Sequence, residues 1–234
     1  MNKKVLGVIP ARGGSKGLPN KNLVDIHGKP MLYYTIKESL ESNLDRVILS
    51  SENEEIIKVG RECGADIPFI RPKKLSEDTA HTQDVIYHSV KWLEKNENYI
   101  PDSIMTLQPT SPLRKSQHIN ESIDKFYKEN TNSLISIKKS PAKPPWWLLK
   151  KNKNNLIELF LKDFKNPFNL ERQQFKKTYS PDGSIFITKK DFLCKNISLF
   201  DFNKCSYYEI EDKYTVDVDN YLDLMLVKIL MENE

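Results

Sequence analysis

Cysteine and histidine are scarce in this sequence, and neither falls into a chemically useful pattern. The three cysteines, Cys63, Cys194 and Cys205, form no C-x-x-C pair. An odd count at irregular spacing argues against a disulfide framework or a zinc site. The thiols read as free groups in a reducing cytoplasm. The four histidines, His27, His81, His88 and His118, show no metal-ligand spacing. No G-x-S-x-G or comparable nucleophile signature is present, which suits chemistry in which a substrate hydroxyl makes the attack. No apolar run approaches the length of a membrane span. The first ten residues have the outline of a signal peptide, but the run Val5 to Pro10 is too short and is soon interrupted by the charge of Arg12. Internal repeats and long low-complexity segments are also absent. The formal net charge of +4 comes with no recognised nucleic-acid module, so it gives little support to a nucleic-acid partner. Scattered lysines such as Lys150, Lys151 and Lys153 read as solvated surface. A mild positive excess does suit a small anionic substrate.

What is present is a soluble α/β pattern. The 234 residues are 38% hydrophobic and 29% charged, enough for one domain with a full core. Short apolar runs alternate with helical periodicity. Val5 to Ile9, Val47 to Leu49, Ser103 to Leu107 and Leu134 to Ile137 read as strands, with a further short strand at Ile67 to Ile70. Leu32, Ile36 and Leu40 mark one helix, Glu54 to Cys63 a second, Val85, Ile86, Val90 and Leu93 a third, and Ser116 to Tyr127 a fourth. This alternation predicts a mainly parallel sheet with helices on both faces. Ligands of such sheets bind beyond the carboxyl ends of the strands, so the loops after Ile9, Leu49 and Leu107 matter most. Near Ser140 the pattern breaks. Pro141, Pro144 and Pro145 precede Trp146-Trp147-Leu148-Leu149, and residues 140–178 read as a β-rich excursion from the sheet. Its tryptophans serve either a local core or an oligomer interface. The sheet resumes at Gly183 to Ile187, and a helix from about Asn220 closes the chain, with Leu222, Leu226, Ile229 and Leu230 expected inward.

Four constellations carry the chemistry. The first is Pro10-Ala11-Arg12-Gly13-Gly14-Ser15-Lys16-Gly17-Leu18-Pro19-Asn20-Lys21-Asn22, directly after the first strand. Its glycines let several N–H groups converge on phosphate oxygens. Arg12, Lys16 and Lys21 can offset a triphosphate and charge building on a leaving pyrophosphate. The spacing is neither a Walker loop nor a dinucleotide fingerprint. The second is Gln108-Pro109-Thr110-Ser111-Pro112-Leu113-Arg114, a turn made rigid by two prolines. The third is Asp217-Val218-Asp219. In an extended segment these carboxylates face one side, a pattern for holding magnesium with phosphate oxygens and water; Asp219 also reads as a cap of the closing helix. The fourth is Glu171-Arg172-Gln173-Gln174, with Tyr179-Ser180-Pro181-Asp182-Gly183 downstream. Arg172 suits a two-pronged grip on a carboxylate.

Together these segments resemble the acylneuraminate cytidylyltransferase (CMP-sialic acid synthetase) family. The match runs in order along nearly the whole chain: Ala11 to Gly17 with Lys21-Asn22, Arg71-Pro72, Asp78-Thr79, Gln108 to Arg114, Arg172-Gln173-Gln174, Gly183, and Asp217-Val218-Asp219 with Leu222-Asp223-Leu224. The resemblance implies a Rossmann-like nucleotidyltransferase fold, a single domain over residues 1–234, and a homodimer in which residues 140–178 reach the partner subunit and help shape the sugar site. It implies transfer of CMP from CTP to the anomeric hydroxyl of a nonulosonic acid, in the cytoplasm, with Mg2+. Arg12, Gly13, Gly14, Ser15, Lys16, Lys21 and Asn22 would meet the nucleotide, with Arg71 and Ser111 helping to place it. Gln108, Arg172, Gln174, Tyr179 and Asp182 would meet the sugar acid. Asp217 and Asp219 would hold the metal, and Arg12, Lys21 and Asp217 would carry catalysis. Where sialic-acid-specific members have an Arg-Pro-Asn-Gly run or a similar one, this chain has Ser180-Pro181-Asp182-Gly183. That substitution favours a relative of N-acetylneuraminate such as legionaminate. It leaves Asp182 either tuning sugar choice or shaping the turn before Gly183. The competing expectations are a cytidylyltransferase for 3-deoxy-manno-octulosonate and a non-catalytic nucleotide-binding module.

Overall fold

The computed structural model describes residues 3–15, 17–139 and 144–233. The first strand, β1 (Val5–Pro10), is an inner strand of the sheet and apolar on both faces. Successive side chains of a strand point to opposite sides. Val5 and Ile9 therefore join one core with Leu32, Ile36 and Phe126, while Leu6 and Val8 join another with Ile86, Val90 and Leu93. A strand with two apolar faces needs cover on both, so helices pack on either side of the sheet.

A hairpin comes next, β2 (Asp25–Ile26) and β3 (Lys29–Pro30), turned by His27 and Gly28 at φ 48° and 78°. After it are α1 (Met31–Leu40), β4 (Arg46–Ser50), α2 (Glu54–Glu62), α3 (Thr82–Glu97), β5 (Ser103–Leu107), α4 (Ser116–Glu129) and β6 (Ser133–Lys139). The small hairpin β7 (Leu149–Lys151) and β8 (Ile157–Leu159) lies beyond them. The chain ends with β9 (Tyr179–Lys189), α5 (Lys190–Asn196), β10 (Cys205–Glu209) and α6 (Tyr221–Glu232). Helix α2 begins where the Asn53 side chain accepts the Ile56 N–H at 3.0 Å, with Glu54 and Glu55 against the positive helix end. Helix α3 stops at Asn98, which turns left-handed at φ 52°.

The main sheet has the order β10-β6-β9-β5-β1-β4. β1 pairs in parallel with β4 and β5, and β6 with β10. β9 is antiparallel to both of its neighbours, with Met105 and Leu134 flanking Ile187. The expected mainly parallel sheet is present, with one reversed strand inside it.

Two local expectations are corrected. Ile67 to Ile70 contributes no strand; a single bridge joins Ile48 to Asp66, and Phe69 alone of this run is buried. In α6 the buried residues are Leu224 and Val227, whereas Leu222 is 75% exposed and Leu226 and Ile229 also face outward. That helix is apolar nearly all round, so periodicity does not select its inner face.

Residues 140–143 lie outside the described residues. After them, Trp146 stacks on Phe175 with ring centroids 5.2 Å apart, and Trp147 and Phe164 meet Phe175 edge-on at 5.8 and 5.6 Å. The tryptophans thus pack a local aromatic cluster. Leu148, Leu149, Ile157, Phe160 and Phe168 around it remain exposed.

Candidate active site

The carboxyl ends of β1, β4 and β5 open onto a cleft of ≈ 550 Å3. One wall is the loop after β1, contributing Arg12, Ser15, Gly17, Lys21 and Asn22. The floor carries Gln108 and Thr110, and the far lip runs from Arg71 to Val85. The segment ending in Asp219 closes the side, anchored by Val218 N–H donating to the Thr110 carbonyl at 2.8 Å.

The first loop is shaped by its own backbone. Ala11 N–H donates to the Ser50 carbonyl at 3.0 Å, prolonging the pairing of β1 with β4. Gly14 has φ 66°, a left-handed turn that favours glycine. Buried Asn22 donates from Nδ2 to the Arg12 carbonyl at 2.9 Å and so braces the loop from beneath. The basic groups already face acids. Arg12 reaches across the cleft to Asp78 Oδ1 at 3.1 Å and the Ser76 carbonyl at 3.3 Å. Lys21 Nζ sits 2.9 Å from Asp219 Oδ1. Lys16 lies outside the described residues.

Arg71 borders the cleft but is itself buried, donating from Nε to Ser50 Oγ at 3.0 Å and to the Ser50 carbonyl. Burial lowers its pKa to about 10, against the opposing pull of Glu52. Gln108, Pro109 and Thr110 of the proline-rich turn line the cleft. Ser111 does not. It is buried, and its hydroxyl has no hydrogen-bond partner among the described residues. The turn is held by Arg114, 1% exposed, which donates to the carbonyls of Gln108 at 3.1 Å and Ser184 at 2.9 Å. Desolvation pulls the Arg114 pKa down to about 10, and the charges of Asp182 and Glu38 oppose it.

Asp217 and Asp219 flank Val218; Asp219 lines the cleft, and Asp217 lies behind it, outside the cleft wall. Asp217 is half-buried against Gly183, where a Cβ would come within 3.2 Å of its Oδ2. Burial raises the Asp217 pKa and the neighbouring Asp219 charge adds to this, while Thr110, Lys21 and Lys138 oppose it. Its Oδ1 is buried with no hydrogen-bond partner among the described residues. A buried carboxylate oxygen without a donor fits a cation. No cluster of three or more His, Cys, Asp or Glu suited to a metal exists among the described residues, so any ion here would rest on this pair and on ligand oxygens. The cap of α6 is Asn220, which accepts from Leu222 N–H at 2.8 Å and from Asp223 N–H at 3.2 Å. Asp219, read from sequence as that cap, is left free to face Lys21.

The sugar-side residues are not brought together. Asp182 is 2% exposed, and its carboxylate accepts from Ser184 Oγ at 2.6 Å and from Ser136 Oγ. It points into the protein beneath Arg114 and does not line the cleft. The cause is a bulge: the β6–β9 register jumps between Ile135 and Ile137, and Gly183 takes φ 88°. Gln174 and Tyr179 are exposed and also absent from the cleft wall, with Gln174 Oε1 accepting from Glu171 N–H at 2.7 Å. The side chain of Arg172 lies outside the described residues. No residue after β4 stands out in the sequence, although that loop was expected to matter. The structure puts Glu52 there, accepting from Gly13 N–H at 2.8 Å.

A family model described as "Cytidylyltransferase" matches residues 6–223. The chain is 33% identical to a pseudaminic acid cytidylyltransferase of Campylobacter jejuni, over 97% of this chain and 96% of that one. It is 31% identical to a CMP-N,N'-diacetyllegionaminic acid synthase of Legionella pneumophila, over 98% and 97%. An N-acylneuraminate cytidylyltransferase of Streptococcus agalactiae is 30% identical over 96% of this chain and 52% of its own. Among solved structures, a CMP:2-keto-3-deoxy-manno-octonic acid synthetase complexed with CTP superposes with TM-score 0.72 at 19% identity, covering 99% of each chain. At that identity the likeness speaks for the fold.

Proposed function

The chain belongs to the cytidylyltransferase family, and from that premise we propose that it transfers CMP from CTP to the anomeric hydroxyl of a nonulosonic acid. The hydroxyl gives up its proton to solvent water, its oxygen bonds to the α-phosphorus, the α–β phosphoanhydride bond breaks, and pyrophosphate leaves. The observation that carries the reading is the pairing of Lys21 with Asp219 at 2.9 Å on a cleft that Arg12 also lines, with Asp217 two residues away and its Oδ1 lacking a hydrogen-bond partner among the described residues.

In this reading the N–H groups of Gly14, Ser15 and Gly17 cradle the phosphates, and Arg12 and Lys21 neutralise charge passing to pyrophosphate. Asn22 fixes the loop, and Arg71 and the lip wall receive the nucleoside. Asp217 and Asp219 would hold Mg2+, whose chemistry there would be polarisation of the α-phosphate and a lowered pKa of the attacking hydroxyl. To release Asp219 for that ion, Lys21 turns from the carboxylate to a phosphate. Gln108 orients the acceptor, and Arg172 is assigned to its carboxylate on the sequence match alone. Positioning and charge neutralisation supply most of the acceleration in such transfers.

The nonulosonate assignment draws on relatives at 30% identity or more that are named for pseudaminic, legionaminic and acylneuraminic acids. The octulosonate alternative draws on a neighbour at 19% identity. A homodimer is part of the proposal, supported by the exposed Leu148, Leu149, Phe160 and Phe168 of the excursion. No helix among the described residues is long and apolar enough to cross a membrane. The test is pyrophosphate release from CTP and Mg2+ with a panel of keto-sugar acids, beside sedimentation for the dimer. Turnover restricted to 3-deoxy-manno-octulosonate, or to none of the panel, would overturn the acceptor assignment.

A further inference from the structure

Glu52 lies just after β4, and its side chain is 16% exposed, outside the cleft wall. One carboxylate oxygen, Oε1, accepts from Gly13 N–H at 2.8 Å. The other, Oε2, accepts from Ser76 Oγ at 2.6 Å and lies 4.0 Å from the Arg71 guanidinium. These partners belong to different walls of the cleft: the basic loop, the far lip and the buried arginine between them. Gly13 lies tight against this anchor, since a Cβ there would approach Asn53 Nδ2 to 3.0 Å and Glu52 Oε1 to 3.3 Å. Asn53 in turn caps α2, so the tether is seated on the start of a helix.

A second bridge crosses the same gap. Arg12 reaches from the loop to the Ser76 carbonyl and Asp78. That bridge runs through the cleft itself, and a triphosphate competes for the same guanidinium. Glu52, Gly13 and Ser76 lie outside the cleft lining, so these contacts do not occupy the space a nucleotide would take. We infer that Glu52 is a positioning residue that sets the separation of the phosphate loop from the opposite lip and thereby tunes affinity for CTP. It also commits Gly13 N–H, so the phosphate-binding amides are those from Gly14 onward.

This rests on the cytidylyltransferase reading, so the primary readout is CTP binding, which needs no acceptor. CTP with Mg2+ is titrated calorimetrically into the full chain, and KM for CTP and for the best acceptor of the panel is measured alongside. Losing both hydrogen bonds in Glu52→Ala weakens CTP about tenfold or more and leaves the acceptor KM within about twofold. Ser76→Ala, which keeps the backbone carbonyl, weakens CTP several-fold in the native background and adds nothing to Glu52→Ala, because the two residues act as one tether. Glu52→Gln keeps an oxygen for Gly13 and a polar atom for Ser76, and recovers affinity to within about threefold of wild type. The tether is overturned by additive effects of Ser76→Ala and Glu52→Ala, by an equal rise in both KM values, or by a Gln variant as impaired as Ala. If Glu52→Ala folds poorly, Ser76→Ala decides: unchanged CTP affinity there overturns it. Wild-type protein that binds CTP but turns over no acceptor counts against the acceptor assignment and leaves the tether standing.

Discussion

Gly17 offers the most direct test of the cleft geometry. A Cβ at this position would sit 2.5 Å from the Asp219 carbonyl oxygen, where ordinary contact begins at 3.4 Å. The obstacle is backbone, so no rotamer change relieves it. In Gly17→Ala either the loop or the Asp219 segment withdraws by ~0.9 Å. Both movements separate Lys21 from Asp219, now 2.9 Å apart, and misalign the carboxylates assigned to the metal. A displacement near 1 Å at a reacting centre costs about 10²-fold in rate, so kcat/KM falls by about that factor. Overpacking adds about 1–3 kcal/mol of destabilisation at most, since the site is at the surface. Gly14→Ala is the control. A Cβ at Gly14 meets nothing within 4 Å, but φ is 66°. Its strain is roughly 1–2 kcal/mol, and the loss in kcat/KM is about tenfold or less. The assay is pyrophosphate release over a range of Mg2+ concentrations, with circular dichroism to confirm the fold. A Gly17→Ala enzyme with near wild-type kcat/KM, or one no worse than Gly14→Ala, would refute the argued contact between loop and Asp219.

Asp217→Asn and Asp219→Asn each keep shape and remove charge; both should lose turnover by about 10²-fold or more with the fold intact, and near wild-type rates at saturating Mg2+ would defeat the metal assignment. Arg114→Met removes two charge-assisted bonds and leaves Asp182 without its buried counterpart, and should destabilise the protein by about 3–5 kcal/mol in urea unfolding. Asp182→Asn should leave the ratio of kcat/KM between N-acetylneuraminate and legionaminate unchanged, because the side chain is enclosed by Ser136 and Ser184; a changed ratio would restore it as a selector. His118 supplies a pH dependence. Its Nδ1 accepts the Lys115 N–H at 3.2 Å at the start of α4, and burial, with Arg114, lowers its pKa against Glu121, Asp182 and Glu211. The unfolded chain therefore takes up the proton first. Stability falls as pH drops through the unfolded value of about 6.5 and levels off below the folded one. His118→Gln keeps an acceptor for the cap and should flatten that slope in thermal melts between pH 7 and 5; an unchanged slope would show that other groups carry it.

The parts of the fold legible in sequence are those fixed by local chemistry. Val5 to Ile9 is a continuous apolar run that has to be buried on both faces, Ser103 to Leu107 is mostly apolar and likewise buried, and the glycine-rich loop after the first marks the ligand edge. The direction of β9 was not legible, because an apolar strand reads the same either way. Nor was the inner face of α6, which apart from Asp223 and Lys228 is apolar from Leu222 to Leu230. Asp182 escaped because a bulge at Gly183 reverses where a strand residue points. Glu52 looked like one more acid ahead of a helix; its role depends on partners 39 residues upstream and 24 downstream in the chain. Ser111 lay in a motif rich in hydroxyls, and only packing shows that Thr110, its neighbour, is the one on the cleft.

The pairing of Lys139 with Tyr179 has an evolutionary consequence. The chain leaves the sheet at the end of β6 and re-enters as the adjoining strand, so the excursion has neighbouring ends at Lys139 and Tyr179. An insert with neighbouring ends can be lengthened, shortened or exchanged without moving the strands beneath it. The part of the cleft assigned here to the nucleotide, next to β1 and β5, stays outside that excursion. If the excursion contributes to acceptor recognition as proposed, new sugar preferences arise by replacing one cassette while the CTP machinery is inherited unchanged. A chimera carrying a relative's cassette on this sheet would then keep its affinity for CTP and adopt the donor's sugar.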